Sequence, residues 1–198
     1  MQWFQQSLTL TIILLFGEID YSGTVIKSAV IIMSMEPPHD LTYKFTAPDN
    51  EIITNIVYTD KDIATCTLSN SVYQITTDSN TKILDITDDN SFVNIDMNNV
   101  LAVIEKQSSG LFSYKYQLNL KSLNSNNENL YILNNSLPKK TVASGKYIAL
   151  NYGSTVDIVN QNGTLKKTYI STQQIKDVIV GSHIVGIIYK DKIEIIPL

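Results

Sequence analysis

This sequence predicts an all-β chain built from a repeating four-stranded unit, on three observations. Polar turn clusters recur about every 41 residues, a spacing typical of repeat architectures. They are Thr59-Asp60-Lys61-Asp62, Asp96-Met97-Asn98-Asn99, Ser144-Gly145-Lys146 and Gly181-Ser182-His183. The runs flanking them alternate apolar and polar residues, the period of half-buried strands. No stretch carries helical periodicity with caps. Four strands per ~40 residues is the period of a β-propeller blade, so the expected fold is a partial β-propeller, an open arc of about 4–5 antiparallel blades.

The first unit, about 8–47, has strands near 8–18, 24–34 and 41–47. Its start, Leu8–Phe16 (LTLTIILLF), is strongly apolar but spans only about half of the ~20 residues a membrane crossing requires. Met1–Gln6 carries no positive charge and no small-residue cleavage motif follows, unlike a secretory signal. A second apolar run, Val25–Met33, follows a Gly-containing turn, which reads as a hairpin. A membrane or signal segment is the alternative. Pro37-Pro38 and Pro48 punctuate the unit, since proline cannot continue a ladder.

The second unit, about 51–86, reads as strands 51–58, 62–68, 71–76 and 81–86; the third, about 92–133, as 92–96, 99–106, 111–122 and 129–133. The Asn-rich stretch Asn124–Asn129 makes the third unit's outermost loop. The fourth, about 138–170, runs 138–143, 146–152, 155–160 and 164–170, with Asn162-Gly163 as a hairpin signal. The fifth, about 173–198, has only 173–180, 183–189 and 192–197. The first and last units each hold three strands, so neither completes the other. The expectation is one repeat domain over 1–198, the C-terminal part of a larger propeller, with an exposed sheet side at each end of the arc. Ile56, Ile63, Val72, Ile83, Leu101, Ile148, Val156, Ile158, Val178, Ile184 and Ile193 fall on apolar phases and are the expected core.

Hydrophobic content of 43% and charge of 17% are near globular averages, which excludes wholesale disorder. All 15 basic residues are lysines and the net charge is −4. Without arginine the planar, bidentate recognition of phosphates and guanine edges is missing, so no nucleic-acid partner is expected. The single cysteine, Cys66, leaves no internal disulfide and no cysteine-built zinc site, and reads as a small buried hydrophobe.

Catalytic motifs are missing. There is no Gly-x-Ser-x-Gly, no Gly-x-Gly-x-x-Gly and no P-loop, the arrangements that expose a nucleophile or cradle a phosphate. His39 and His183 stand far apart and read as solvent-facing loop residues. Asp85, Asp88, Asp89 and Asn90 form the best cluster of hard oxygen ligands, but without the spacing of a calcium loop. Lys139-Lys140 gives little field. Tyr114 and Tyr116 share a strand face, and Tyr152 and Tyr189 end equivalent strands. In propellers the loops between second and third strands and between blades line one face. Loop tyrosines there can stack on sugars or anchor a protein, and cross-strand packing is the alternative. The expected partner-binding loops therefore hold Asp88, Asp89, Asn90, Tyr152 and Tyr189, with no catalytic residue, cofactor or metal assigned.

The segments GKYIALNYGSTVDIVNQNGTLKKTY and QQIKDVIVGSHIVGIIYKDKIEIIPL, within Gly145–Leu198, resemble the C-terminal blades of an uncharacterised bacterial propeller family. The first hairpin resembles an upstream blade of the same domain. That family is typically anchored by one N-terminal transmembrane helix, with the propeller outside the cytoplasm. The resemblance implies a non-catalytic interaction module of a cell-envelope protein, reaching the membrane only through an upstream anchor. A glycan-binding, lectin-like propeller, or the non-catalytic remainder of a propeller enzyme, are the alternatives. The partner is expected to be a protein or a glycan. The WD40 Trp-Asp pair is missing, and the only tryptophan, Trp3, lies outside any repeat.

Overall fold

The structure is a computed structural model that describes residues 11–19, 24–34, 41–60, 63–76, 78–95, 99–110, 113–125, 127–133 and 136–198. Among them there is no helix; the chain is all-β, with sheets of antiparallel strands in sequence order, as in a partial propeller. The strands form two compact units, Met1–Asp85 and Ile86–Leu198.

The first unit holds two sheets. β1 (Thr11–Ile19), β2 (Ile26–Ser34) and β3 (Leu41–Thr46) form one; β4 (Ile53–Asp60), β5 (Ile63–Leu68), β6 (Ser71–Ile75) and β7 (Asn80–Asp85) form the other. The apolar run at the start of the chain enters β1, which pairs with β2 from Thr11↔Ser34 to Ile19↔Ile26. This is the expected hairpin, and among the described residues no helix is long and apolar enough to cross a membrane. Val30 and Phe45 from one sheet pack against Ile53, Ala64, Cys66, Leu68 and Ile75 from the other. Each such side chain withdrawn from water contributes about 1.5–3 kcal/mol. The chain between the sheets is stitched by the buried Ser28, whose hydroxyl donates to Glu51 O (3.0 Å) and accepts from Ile53 N (3.1 Å).

The second unit holds three sheets. They are β8 (Asn90–Asn94) to β11 (Glu128–Ile132) with β9 (Val100–Ser108) and β10 (Tyr114–Ser122) between; β12 (Lys140–Ser144), β13 (Tyr147–Asn151), β14 (Thr155–Asn160) and β15 (Leu165–Ile170); and β16 (Asp177–Val180), β17 (Ile184–Ile188) and β18 (Ile193–Pro197). The sheets stack face to face. Ala102, Ile104, Leu118 and Leu120 of the first meet Ile148, Leu150 and Val159 of the second. Ala149, Val156 and Ile158, on the opposite face of that second sheet, meet Val178, Val185, Ile187 and Ile196 of the third. Alternation along β13 and β14 thus serves two cores at once, because successive side chains point to opposite faces.

Of the expected core, Val72, Leu101, Ile148, Val156, Ile158 and Val178 are buried, while Ile56, Ile63 and Ile83 are half-buried. Ile184 and Ile193 are 45% and 58% exposed. The register sets Val185, Ile187, Glu194 and Ile196 on the packed face, and the isoleucines between them turn outward. β16 begins at Asp177 instead of 173, since Ile175 N donates to Gly153 O of the neighbouring sheet (2.6 Å) and carries the chain across. Of the expected turns, Lys61-Asp62 and Asp96–Asn98 lie outside the described residues, as do His39 and Trp3.

Candidate functional site

In an up-and-down sheet the turns after the first and third strands share one end, and those after the second share the other. The expected partner-binding residues all fall at the latter end of the second unit. Asp88 and Asp89 are exposed in the turn before β8. Asn90 Oδ1 accepts from Thr87 N (2.8 Å) and Thr87 Oγ1 (3.1 Å), and Asp89 O accepts from Lys106 N. Asp85 is engaged by Lys82 at 2.7 Å. These oxygens serve the turn, and among the described residues no group of three or more His, Cys, Asp or Glu side chains converges as for a metal.

Tyr189 is 5% exposed. Its hydroxyl lies 2.8 Å from Tyr169 Oη and donates to Glu194 Oε2 at 3.3 Å; Tyr169 Oη also donates to that carboxylate. Lys192 completes the group, donating to Glu194 and lying 4.9 Å from the Tyr189 ring centroid. Hydrogen bonding to Glu194 holds the Tyr169 hydroxyl well above its usual pKa, and the Lys192 ammonium holds Glu194 below the usual carboxylate range. Beside this cluster Gln173, Gln174, Lys176, Tyr189, Lys190 and Asp191 line an open depression of about 570 Å³.

Tyr152 packs against the core between the first two sheets of the unit. Its hydroxyl is buried and, among the described residues, has no hydrogen-bond partner; burial raises its pKa. Nearby, the buried Asp157 accepts from Tyr131 Oη at 3.1 Å and Thr168 Oγ1 at 2.7 Å. Burial pushes Tyr131 up to about 12, with Asp157 adding to the shift.

A tyrosine tie therefore recurs. Tyr131 on β11 reaches Asp157 of the next sheet, and Tyr169 on β15 reaches Glu194 of the sheet after that. In the first unit Asn80 Nδ2 donates to Tyr43 Oη at 3.1 Å, joining β7 to β3. Each tie carries an aromatic body into the core and a hydroxyl to a polar partner, the arrangement a buried tyrosine needs. The sequence shows that the tyrosines are abundant. It hides the ties because the partners stand 26, 25 and 37 positions apart.

A second depression, which the sequence reading did not single out, lies at the other end of the second unit. Asn99, Asn124, Asn127, Asn129, Gln161 and Asn162 line about 300 Å³, with Ser122 and Ser125 beside them and Val100 and Leu120 at its base. It joins a smaller hollow of about 260 Å³, lined by Lys146, Tyr147, Asn160 and Lys166, through the shared Gln161 and Asn162. Two sheets build it. The β10–β11 turn is folded on itself by Ser122 N to Asn127 O (2.9 Å). The β14–β15 turn is pinned by Asn160 Oδ1, which accepts from Asn162 N (3.0 Å) and Thr164 N (2.9 Å). Gly163, at φ +73°, lies so close to β11 that a Cβ would stand 3.1 Å from Leu130 O. Gln161 Oε1 is buried and, among the described residues, has no hydrogen-bond partner.

No protein-family model matches the sequence, and no curated protein does. Solved structures with a similar path include a protein of unknown function from Bacteroides caccae (TM-score 0.43, 10% identity, covering 95% of this chain and 72% of that one). Kluyveromyces lactis Hsv2 (0.37, 8%, 87% and 70%) and the AfRom2 CNH domain (0.31, 10%, 91% and 80%) are further examples. With TM-scores under 0.5 these likenesses add nothing to the fold described above.

Proposed function

We propose that this chain is a non-catalytic interaction module that binds a protein partner through the outer face of the sheet β16–β18. One observation carries the reading. Ile179, Ile184, Ile193 and Ile195 are 50%, 45%, 58% and 59% exposed, and the register puts them on one face around Gly186. Asp177, the charged residue of that face, is engaged by Lys140 at 2.6 Å. Single exposed isoleucines are ordinary, whereas a contiguous apolar patch marks an interaction surface.

The patch is flat because Gly186 lets Ile179 lie across the sheet; a Cβ there would stand 2.6 Å from Ile179 Cγ1. The opposite face of the same sheet already packs on β12–β15, so the occupant that fits is another flat apolar sheet face. In a purified sample a second copy of the chain offers one. The resemblance of Gly145–Leu198 to blades of a membrane-anchored bacterial propeller family extends the reading to a cell-envelope protein held outside the cytoplasm.

Sedimentation velocity tests the proposal. The wild-type chain is expected to self-associate at micromolar concentration, and an Ile193→Glu/Ile195→Glu variant to run as a monomer with unchanged far-ultraviolet circular dichroism. A wild-type monomer, or association that survives the double substitution, would overturn it.

A further inference from the structure

We infer that the amide-lined depression between the β10–β11 and β14–β15 turns is a binding site for a neutral sugar unit of an oligosaccharide. Its lining decides the chemistry. Asn99, Asn124, Asn127, Asn129, Asn162 and Gln161 each present a carbonyl acceptor and an NH₂ donor, and two serine hydroxyls adjoin them. Such a surface matches a ligand whose own groups donate and accept in close alternation, as sugar hydroxyls do. Among the described residues no charged side chain lines this part, and its apolar lining is limited to Val100 and Leu120, which disfavours a phosphate. At about 300 Å³ the volume sits at the small end of the ~300–1,000 Å³ of ligand pockets.

Gln161 gives a second, independent observation. Among the described residues its buried Oε1 has no partner, and buried acceptors in native structures are nearly always paired. Gln161 also lines the adjoining hollow with Lys146, Asn160, Lys166 and the half-buried Tyr147, which packs partly on the core facing β16–β18 and is the aromatic residue there for the CH face of a following sugar. With the Gln161 side chain turned outward, its amide would meet a sugar hydroxyl whose ring sits among the asparagines, and the next unit would lie in the hollow beside Tyr147, one extended ligand across both.

The site belongs to the second unit alone, and the inference does not rest on the isoleucine face. Its test uses the full chain on an array of β- and α-linked glucose, N-acetylglucosamine, galactose and mannose oligosaccharides, with isothermal titration of any ligand retained. Binding of a neutral oligosaccharide is expected. Asn124→Ala, on an exposed loop, should weaken it roughly tenfold, the loss expected for a hydrogen bond at a neutral site. Gln161→Leu should weaken it at least as much while leaving the melting temperature unchanged or higher, because it removes an unpaired buried acceptor. A lower melting temperature for Gln161→Leu would assign the glutamine to folding and count against the site. Retention of acidic oligosaccharides only, no retention at all, or binding indifferent to both substitutions would overturn the inference. The Ile193→Glu/Ile195→Glu variant should keep full sugar binding, which separates this site from the isoleucine face.

Discussion

Cys66 and Asp157 show how single residues inside strands are held. Cys66 on β5 is fully buried between its cross-strand neighbours Ile56 and Tyr73, and burial pushes its thiol up to about 12. A thiol reacts as the thiolate, so labelling near neutral pH must await opening of the sheet. The native chain is expected to react with a disulfide reagent far more slowly than the same chain in denaturant; equal rates would refute the burial. Asp157 is the sharper case, a carboxylate 2% exposed that is held by two hydroxyls. Asp157→Ala leaves Tyr131 and Thr168 without their acceptor and should cost about 1.5–3 kcal/mol, the range for hydrogen bonds to a charged group. Urea unfolding measures it, and a loss below ~0.5 kcal/mol would show the ties to be incidental. Nothing local in Val156-Asp157-Ile158 announces this role, since Tyr131 is 26 positions away.

At the scale of elements, alternation and turn chemistry make the strands legible, and they fail where both phases are apolar. In Tyr147–Asn151 Ile148 and Leu150 meet one core and Ala149 the other, so there both phases are buried and either choice is right. In β17 and β18 isoleucine stands on both phases, and only packing against β12–β15 decides which side is covered. Without that packing, Ile184 and Ile193 read as core residues, whereas the sheet leaves them 45% and 58% exposed. The Asn-rich β10–β11 turn is legible as a loop. Its pocket is not, because Gln161 and Asn162 arrive from another sheet. Gly186 carries the element-scale prediction. Gly186→Ala places a Cβ 2.6 Å from Ile179 Cγ1 and 2.9 Å from its Cδ1, so the isoleucine must leave its position across the sheet. Overpacking of this kind should cost about 1–3 kcal/mol, read by chemical denaturation, and should also weaken self-association. A variant as stable and as associating as the wild type would mean that the flat face has no such requirement.

Across the whole molecule the groups with displaced pKa values make alkaline pH the weak side. Cys66 is raised from 9.0 to about 12 by burial, and Tyr131 from 10.0 to about 12 by burial and Asp157. Tyr152 is raised by burial, and Tyr169 by its bond to Glu194. Each keeps its proton in the fold at a pH where the unfolded chain has released it. Stability falls with rising pH wherever the unfolded state binds fewer protons. The contribution of these groups is therefore complete below about pH 9 and is lost as pH climbs from there through the folded values near 12. On the acid side Asp177 and Glu194 lie below 3.8 and 4.5, held by Lys140 and Lys192. Their stabilisation is present above those values and is lost only as pH falls through the lowered ones; both pairs are solvent-exposed, so that loss should be slight. Composition reports eleven tyrosines and an isoelectric point near 5.1 without saying which hydroxyls the fold encloses, so this asymmetry follows from the sheets and not from the charge count. The melting temperature should be nearly level from about pH 6 to 9 and drop steadily above, with Tyr131→Phe and Tyr169→Phe flattening the alkaline slope by removing the group that titrates. A melting temperature that holds or rises from pH 9 to 11, or an alkaline slope unmoved by both substitutions, would mean that burial of Tyr131 and the bond of Tyr169 to Glu194 do not hold these protons in the fold.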